Sequence, residues 1–302
     1  MKGKMTLCIG LAVLSAALPS CQKEGTAEPS PSALPFEFTV VRPEGMAPEV
    51  ETKAVTETTF STLTASSIKV TAQYQRLDNL MFENLTFDQK SNATSSSATF
   101  RTSAAYAWPT TGALSFYSDN APAGNDSVLE EDDEETFLYR RCFNTTDGDI
   151  VAAYALNVSN GASVNLTYNH VFGRLYSIVL EAAANITSVT VNSITVSYYQ
   201  TGYWDFYEEY MYDASNKTTV SFPASTTSTG DILVVPFSNI DITIKYTATT
   251  ESGTSSYTKT YRTTIDPGYK VTLSGTLDAS PSELKLQPSA MPWTVSSISQ
   301  TY

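Results

Sequence analysis

The chain has 302 residues, with 18 basic against 31 acidic side chains and a formal net charge of −13. That balance argues against nucleic acid and anionic lipid surfaces as partners. Only 16% of residues are charged, against about a quarter in an average globular domain; Ser and Thr fill the gap, which suits strands with hydroxyls turned outward and fits exported surface proteins better than cytosolic enzymes.

The N-terminus reads as an export signal over residues 1–20. Lys2 and Lys4 precede an apolar run from Thr6 to Leu18, too short to span a bilayer. The run ends Leu18-Pro19-Ser20-Cys21. This resembles a bacterial lipobox, which implies cleavage between Ser20 and Cys21 and a lipid on Cys21. Such a lipid ties a chain to a membrane surface without making it span. Cys8 leaves with the signal, so Cys142 stands alone and no disulfide framework or cysteine metal cluster can form. It is expected to be a small buried hydrophobe.

Residues 21–35 carry Pro, Ser and Glu with little to bury, and read as a linker. From Phe36 the pattern is β. "FEFTVV" (36–41) alternates, then "RPEGMAPEVETK" breaks it. "IKVTAQY" (68–74), "ALSFYS" (113–118), "DIVAAYAL" (149–156) and "ASVNLTY" (162–168) follow. "VTVNSITVSYY" alternates but changes phase at Asn192-Ser193, which predicts a bulge or a strand that switches sheets. In "IDITIKYTA", Ile240, Ile242, Ile244, Tyr246 and Ala248 share one face, a period of two that a helix cannot satisfy. Asp266-Pro267-Gly268 predicts a turn into a strand with Val271, Leu273 and Leu277 inward. No stretch carries a helical stripe of a dozen residues. The spacing therefore predicts an all-β chain of two antiparallel β-sandwich domains in series, 36–160 and 161–302, with the boundary at Asn160-Gly161.

Residues suited to catalysis are scarce. His170 is the only histidine, which rules out polyhistidine metal sites and leaves a Ser-His-Asp triad one candidate base, with no G-x-S-x-G elbow to serve it. It reads as a packed histidine at a strand start. The acidic run Glu130 to Glu135 lacks the spacing of a calcium loop and reads as a solvated segment. The aromatic stretch Tyr198 to Tyr212 offers Tyr203, Trp204 and Tyr207 as candidate glycan contacts, or else covers a sandwich edge or subunit contact.

Three stretches together resemble the fimbrillin family of Bacteroidales fimbrial subunit lipoproteins. They are "YAWPTTGALSFYSDNAP" (106–122), "GDIVAAYALNVSNGASVNLTYNHVFGRLYSIVL" (148–180), and "DILVVPFSNIDITIKYTATT" followed by "IDPGYKVTLSGTL". In the second, Val-Phe-Gly-Arg follows His170 where family members more often carry a small-apolar-Ser/Ala-Lys run. The resemblance implies transthyretin-like sandwiches, no enzymatic activity and no cofactor. It implies an outer-membrane lipoprotein trimmed by a trypsin-like protease and polymerised with other fimbrial subunits by strand exchange, supporting adhesion to host or bacterial surface glycans or proteins. On this sequence the cut maps to Lys53/Ala54, the removable N-terminal strand to residues 36–53, and a candidate donor strand to Trp293–Tyr302. Asp126-Ser127-Val128 resembles the O-glycosylation motif of these bacteria. The alternative reading is a tip adhesin or surface glycan-binding lipoprotein that does not polymerise.

Overall fold

The computed structural model describes residues 35–41, 65–94, 97–122, 124–131, 134–280 and 284–292. The leader, Ser20, Cys21, the linker up to residue 34, Lys53, Ala54 and the segment 293–302 lie outside them. The described strands begin with β1 (Phe38–Val41), β2 (Ile68–Tyr74), β3 (Leu80–Phe87), β4 (Gln89–Ser91), β5 (Ser97–Arg101) and β6 (Ala113–Asp119). Next come β7 (Ser127–Glu131), β8 (Phe137–Asn144), β9 (Val151–Ser159), β10 (Val164–Thr167) and β11 (Asn169–His170). The later strands are longer: β12 (Gly173–Ala182), β13 (Ser188–Asp205), β14 (Tyr210–Phe222), β15 (Thr227–Val234), β16 (Ile240–Thr250), β17 (Gly253–Thr263), β18 (Tyr269–Leu277) and β19 (Leu286–Pro292). The one helical element among the described residues is a single 3-10 turn, Thr145–Asp147, capped by the Asn144 side chain.

The architecture is all-β, as the alternation predicts. One sandwich faces sheet β10-β1-β5-β4 against sheet β11-β9-β6-β2-β3. Its core is aromatic, built from Phe36, Phe38, Phe87, Phe100, Trp108 and Phe116. A second sandwich sets sheet β15-β12-β18-β19 against β13 and its partners around an aliphatic core that includes Ile194, Ile240, Ile242, Ile244 and Leu273. In β16 the even-numbered residues Ile240 to Ala248 are all buried, so its period of two is realised. The ladder between β13 and β16 slips between Val191 and Ser193, where the sequence changes phase. Gly268 takes φ +70 in the turn before β18, a conformation that favours glycine.

Two features depart from the expectation of purely antiparallel sheets in two segregated halves. β1 pairs with β10 in parallel, and β12 pairs with β18 in parallel. A parallel pair needs a long crossover, and here strands of the opposite sheet supply it instead of helices. The sheets also do not divide at Asn160-Gly161. β10 and β11 pair with β1 and β9, so the hand-over comes after His170, near Val171 and Phe172.

β13 is the spine of the second half. From Ile194 to Asp205 one edge of it pairs with β14. Its other edge pairs with β16 over Ser188 to Ser197, then with β8 over Thr201 to Asp205. β16 and β8 therefore stand end to end on one side of β13, each with its hairpin partner, β17 or β7, outside it. An 18-residue strand extends about 60 Å at the usual rise of a strand.

The upper end of that beam reaches the first sandwich. Trp204, Phe206 and Met211 share a third core with Tyr117, Tyr139, Phe143, Val171 and Phe172. Tyr117 of β6 stacks on Tyr139 of β8 with ring centroids 4.9 Å apart. Several polar groups at this seam are tied to partners across it. Tyr117 donates to Gln73 Oε1 at 2.8 Å, and Gln73 Nε2 donates to the carbonyls of Leu77 and Phe137. Arg141 of β8 lies 3.2 Å from the Asp119 carboxylate of β6, both buried. Burial pushes the Asp119 carboxyl up, and the adjacent guanidinium partly opposes that rise.

Close packing inside the second sandwich leaves a specific test. A Cβ on Gly230 of β15 would sit 2.1 Å from the Phe222 ring of β14. Gly230→Ala is expected to cost about 1–3 kcal/mol, read as a lower urea midpoint at unchanged slope. In a Phe222→Ala background most of that cost should vanish.

Candidate functional site

The candidate site is the slot that holds the N-terminal strand. Phe36, Phe38 and Val40 alternate with Glu37, Thr39 and Val41, so one face of the segment is apolar. That face is fully buried. Phe36 meets Trp108 at 5.1 Å and Phe116 at 5.6 Å, while Phe38 meets Phe87 at 4.8 Å and Phe116 at 5.0 Å, all edge to face. Such contacts add to the area each ring removes from water.

The backbone of the strand is equally committed. β1 runs antiparallel to β5, from Phe38↔Phe100 to Val41↔Ser97, and parallel to β10, from Phe38↔Val164 to Val41↔Thr167. β1 is the sheet partner of β10 among the described strands. Withdrawal of β1 would leave the backbone of β10 unpaired and β5 with the three-residue β4 alone. The solvent face contributes less: Glu37 pairs with Arg101, both exposed, and such pairs are weak. The strand is thus held by three apolar side chains and two ladders. These are interactions that any strand of the same pattern could replace.

The structure separates the three candidate glycan contacts. Trp204 is 5% exposed and belongs to the core between the sandwiches, so it cannot stack on a sugar. Tyr203, its neighbour in β13, projects from the opposite face because side chains alternate along a strand. Tyr207, in the turn after β13, is 47% exposed with the Arg76 guanidinium 4.1 Å from its ring centre. The aromatic stretch therefore serves mainly as core, and the three residues do not form one platform.

The remaining singled-out residues are structural in their surroundings. His170 is buried in β11 with Nδ1 2.7 Å from Asp149 Oδ1. Cys142 lies half-buried in β8 with no disulfide, its thiol pushed up by burial and then by Asp126 and Asp147. Within the acidic run, Glu130 pairs with Arg140, and no group of three metal-ligating side chains occurs among the described residues. Ser127 bonds Glu83 at the start of β7. No helix among the described residues is long and apolar enough to cross a membrane. β10 was not visible as part of the slot in the sequence; its Val164 and Leu166 alternate as any strand's do, and nothing local marks β1 as its partner.

No family model matches the chain, and no curated protein matches it. Solved structures do. A candidate cell adhesion protein of Parabacteroides distasonis shares 15% identity over 88% of this chain and 98% of its own, with a TM-score of 0.50. A fimbrial protein of Bacteroides vulgatus shares 14% identity over 76% and 92%, with a TM-score of 0.46. The tip fimbrial protein Mfa3 of Porphyromonas gingivalis, truncated at its C-terminus, shares 9% over 85% and 99%, with a TM-score of 0.38. At these identities the likeness is one of fold, and it is carried by the first of the three.

The slot makes a direct prediction. Phe38→Ala deletes a fully buried ring from the centre of the aromatic core and is expected to cost about 3–5 kcal/mol. Thr39→Ala, on the solvent side of the same strand, should change stability by less than about 1 kcal/mol. Urea unfolding of both variants measures the difference.

Proposed function

We propose that this chain is a structural subunit of a cell-surface fimbria. In this reading it is exported as an outer-membrane lipoprotein anchored through Cys21, cut between Lys53 and Ala54, and joined to neighbouring subunits by strand exchange. The supporting observation is the placement of β1. It is a short N-terminal strand seated between β5 and β10, and Lys53 lies in the sequence between it and β2. Cutting there would separate Phe36, Phe38 and Val40 covalently from the sheet they complete. An opened slot presents unpaired backbone and an apolar trough, which an incoming strand satisfies. Repeated head-to-tail addition extends without closing. Trp293–Tyr302 is the candidate donor, and the fold shared with a candidate adhesion protein fits this role. Other fimbrial subunits are then its partners, with host or bacterial surface molecules as targets of the finished fibre. The tip-adhesin alternative loses Trp204 from its expected platform and keeps Tyr203 and Tyr207 apart from each other.

Limited trypsin digestion of the lipid-free precursor, followed by electrophoresis without boiling, tests this reading. Cutting at Lys53 should produce a ladder of oligomers, and Lys53→Gln should stay uncut and free of the ladder. A clean cut that yields only monomer contradicts a polymerising role.

A further inference from the structure

The free edges of the sheets are not alike. An edge strand exposes unpaired N–H and C=O groups, and proteins blunt such edges by brevity, bulges, proline or charge. β4, β10 and β11 are no longer than four residues. The ladders of β3 and β15 slip in register, and Asn84 and Asp231 in these strands have positive φ. β14 is interrupted by Asp213 and Asn216, both left-handed. β19 carries Pro288 and Pro292, and β7 ends in Glu130-Glu131. β17 is neither short, bulged nor broken by proline, and of these devices it has only charge, in Lys259 and Arg262. It pairs with β16 through eleven consecutive residues, Gly253 to Thr263, without a slip. β16 is its sheet partner among the described strands.

The chemistry of β17 selects its occupant. Its sequence, GTSSYTKTYRT, contains no acid in a chain of net charge −13. Both of its cations already have an acidic partner within the chain. Lys259 turns inward and pairs with Asp278, and Arg262 bonds Asp241 at 2.6 Å beside Lys217 at 2.8 Å. The strand is therefore an acid-free, hydroxyl-rich strip whose cations are engaged within the chain, where two copies of an acidic protein can meet without opposing like charges. We propose that a second copy of this chain adds its own β17 here, antiparallel, across a two-fold axis at Thr258.

That register is self-complementary. It sets Ser256 opposite Thr260, Ser255 opposite Tyr261, Tyr257 opposite Lys259 and Thr254 opposite Arg262. Hydroxyl pairs of this kind stabilise cross-strand contacts, and no like charges face each other. Ser256, Thr258 and Thr260 are exposed on the outer face, while Lys259 is buried on the inner one, so both cores continue on the same side of the joined sheet. A two-fold contact uses the same strand from both copies and closes at the dimer. It is independent of β1 and of any cut at Lys53.

The test uses the uncut full chain in detergent, with Cys142 changed to Ser. Directly opposed residues of an antiparallel pair have Cα atoms about 4.5–5.5 Å apart, within the range a disulfide can bridge. Under mild oxidation Thr258→Cys should form a disulfide dimer at least about tenfold in excess of Ser221→Cys, placed on the interrupted edge of β14. Should Thr258→Cys fail to fold, mixing Ser256→Cys with Thr260→Cys should give crosslinked pairs that neither gives alone at that yield. Equal crosslinking at Thr258 and Ser221, no excess in the mixed pair, or a folded chain that stays monomeric on sedimentation overturns the proposal.

Discussion

Everything in the second half of the molecule depends on one strand having two environments. β13 buries Val191, Ile194 and Val196 in the aliphatic core of the second sandwich, then Trp204 in the mixed core at the seam. Its partner changes from β16 to β8 between Ser197 and Thr201 while β14 bridges the break on the other edge. Because a strand is stiff along its length and fixes side-chain direction residue by residue, a twist or slip at one end of β13 would misplace both cores. The bulge at Asn192 is the point where this is adjusted: it restores the inward phase for Ile194 and Val196. β8 carries the consequence across the seam, since its hydrogen bonds belong to β13 while Tyr139 and Arg141 engage β6.

β1 is the opposite kind of element. It shares a core but is not a sequence neighbour of the strands on either side of it. Its partners lie far along the chain, at Ser97–Arg101 and Val164–Thr167. Its knobs include two of the fully buried rings of the first core, so the sheet is incomplete without it, yet its solvent face contributes little. The proposed strand exchange needs this combination: a rigid frame that keeps the slot open and a strand held by interactions that are generic in kind. The seam and the spine supply the frame.

Much of this was legible in the sequence where side chains alternate cleanly. Ile240 to Ala248, Val271 to Leu277 and the phase change at Asn192-Ser193 gave strand, face and bulge directly, because one buried face imposes a period of two. His170 is buried at a strand start as its setting suggests, whereas Cys142, expected to be buried, falls on the half-exposed face of β8. What alternation does not encode is the partner. The parallel pairing of β1 with β10, the departure of β8 to β13, and the hand-over after His170 are tertiary choices between strands of similar pattern. The sequence leaves the role of Trp204 open for a related reason: in a stretch rich in aromatics both faces look apolar, and only the partner across the seam decides which one is core.

In the proposed assembly β1 is a separable strand in a frame that outlasts its removal. Backbone hydrogen exchange before and after cutting at Lys53 measures this most directly. The account predicts that amides of Val164–Thr167 and Ser97–Arg101 lose protection after the cut, while those of Ile194–Ser197 in β13 keep theirs. Unchanged protection in β10 and β5, with the N-terminal fragment still bound, would contradict it and make β1 a permanent part of the fold.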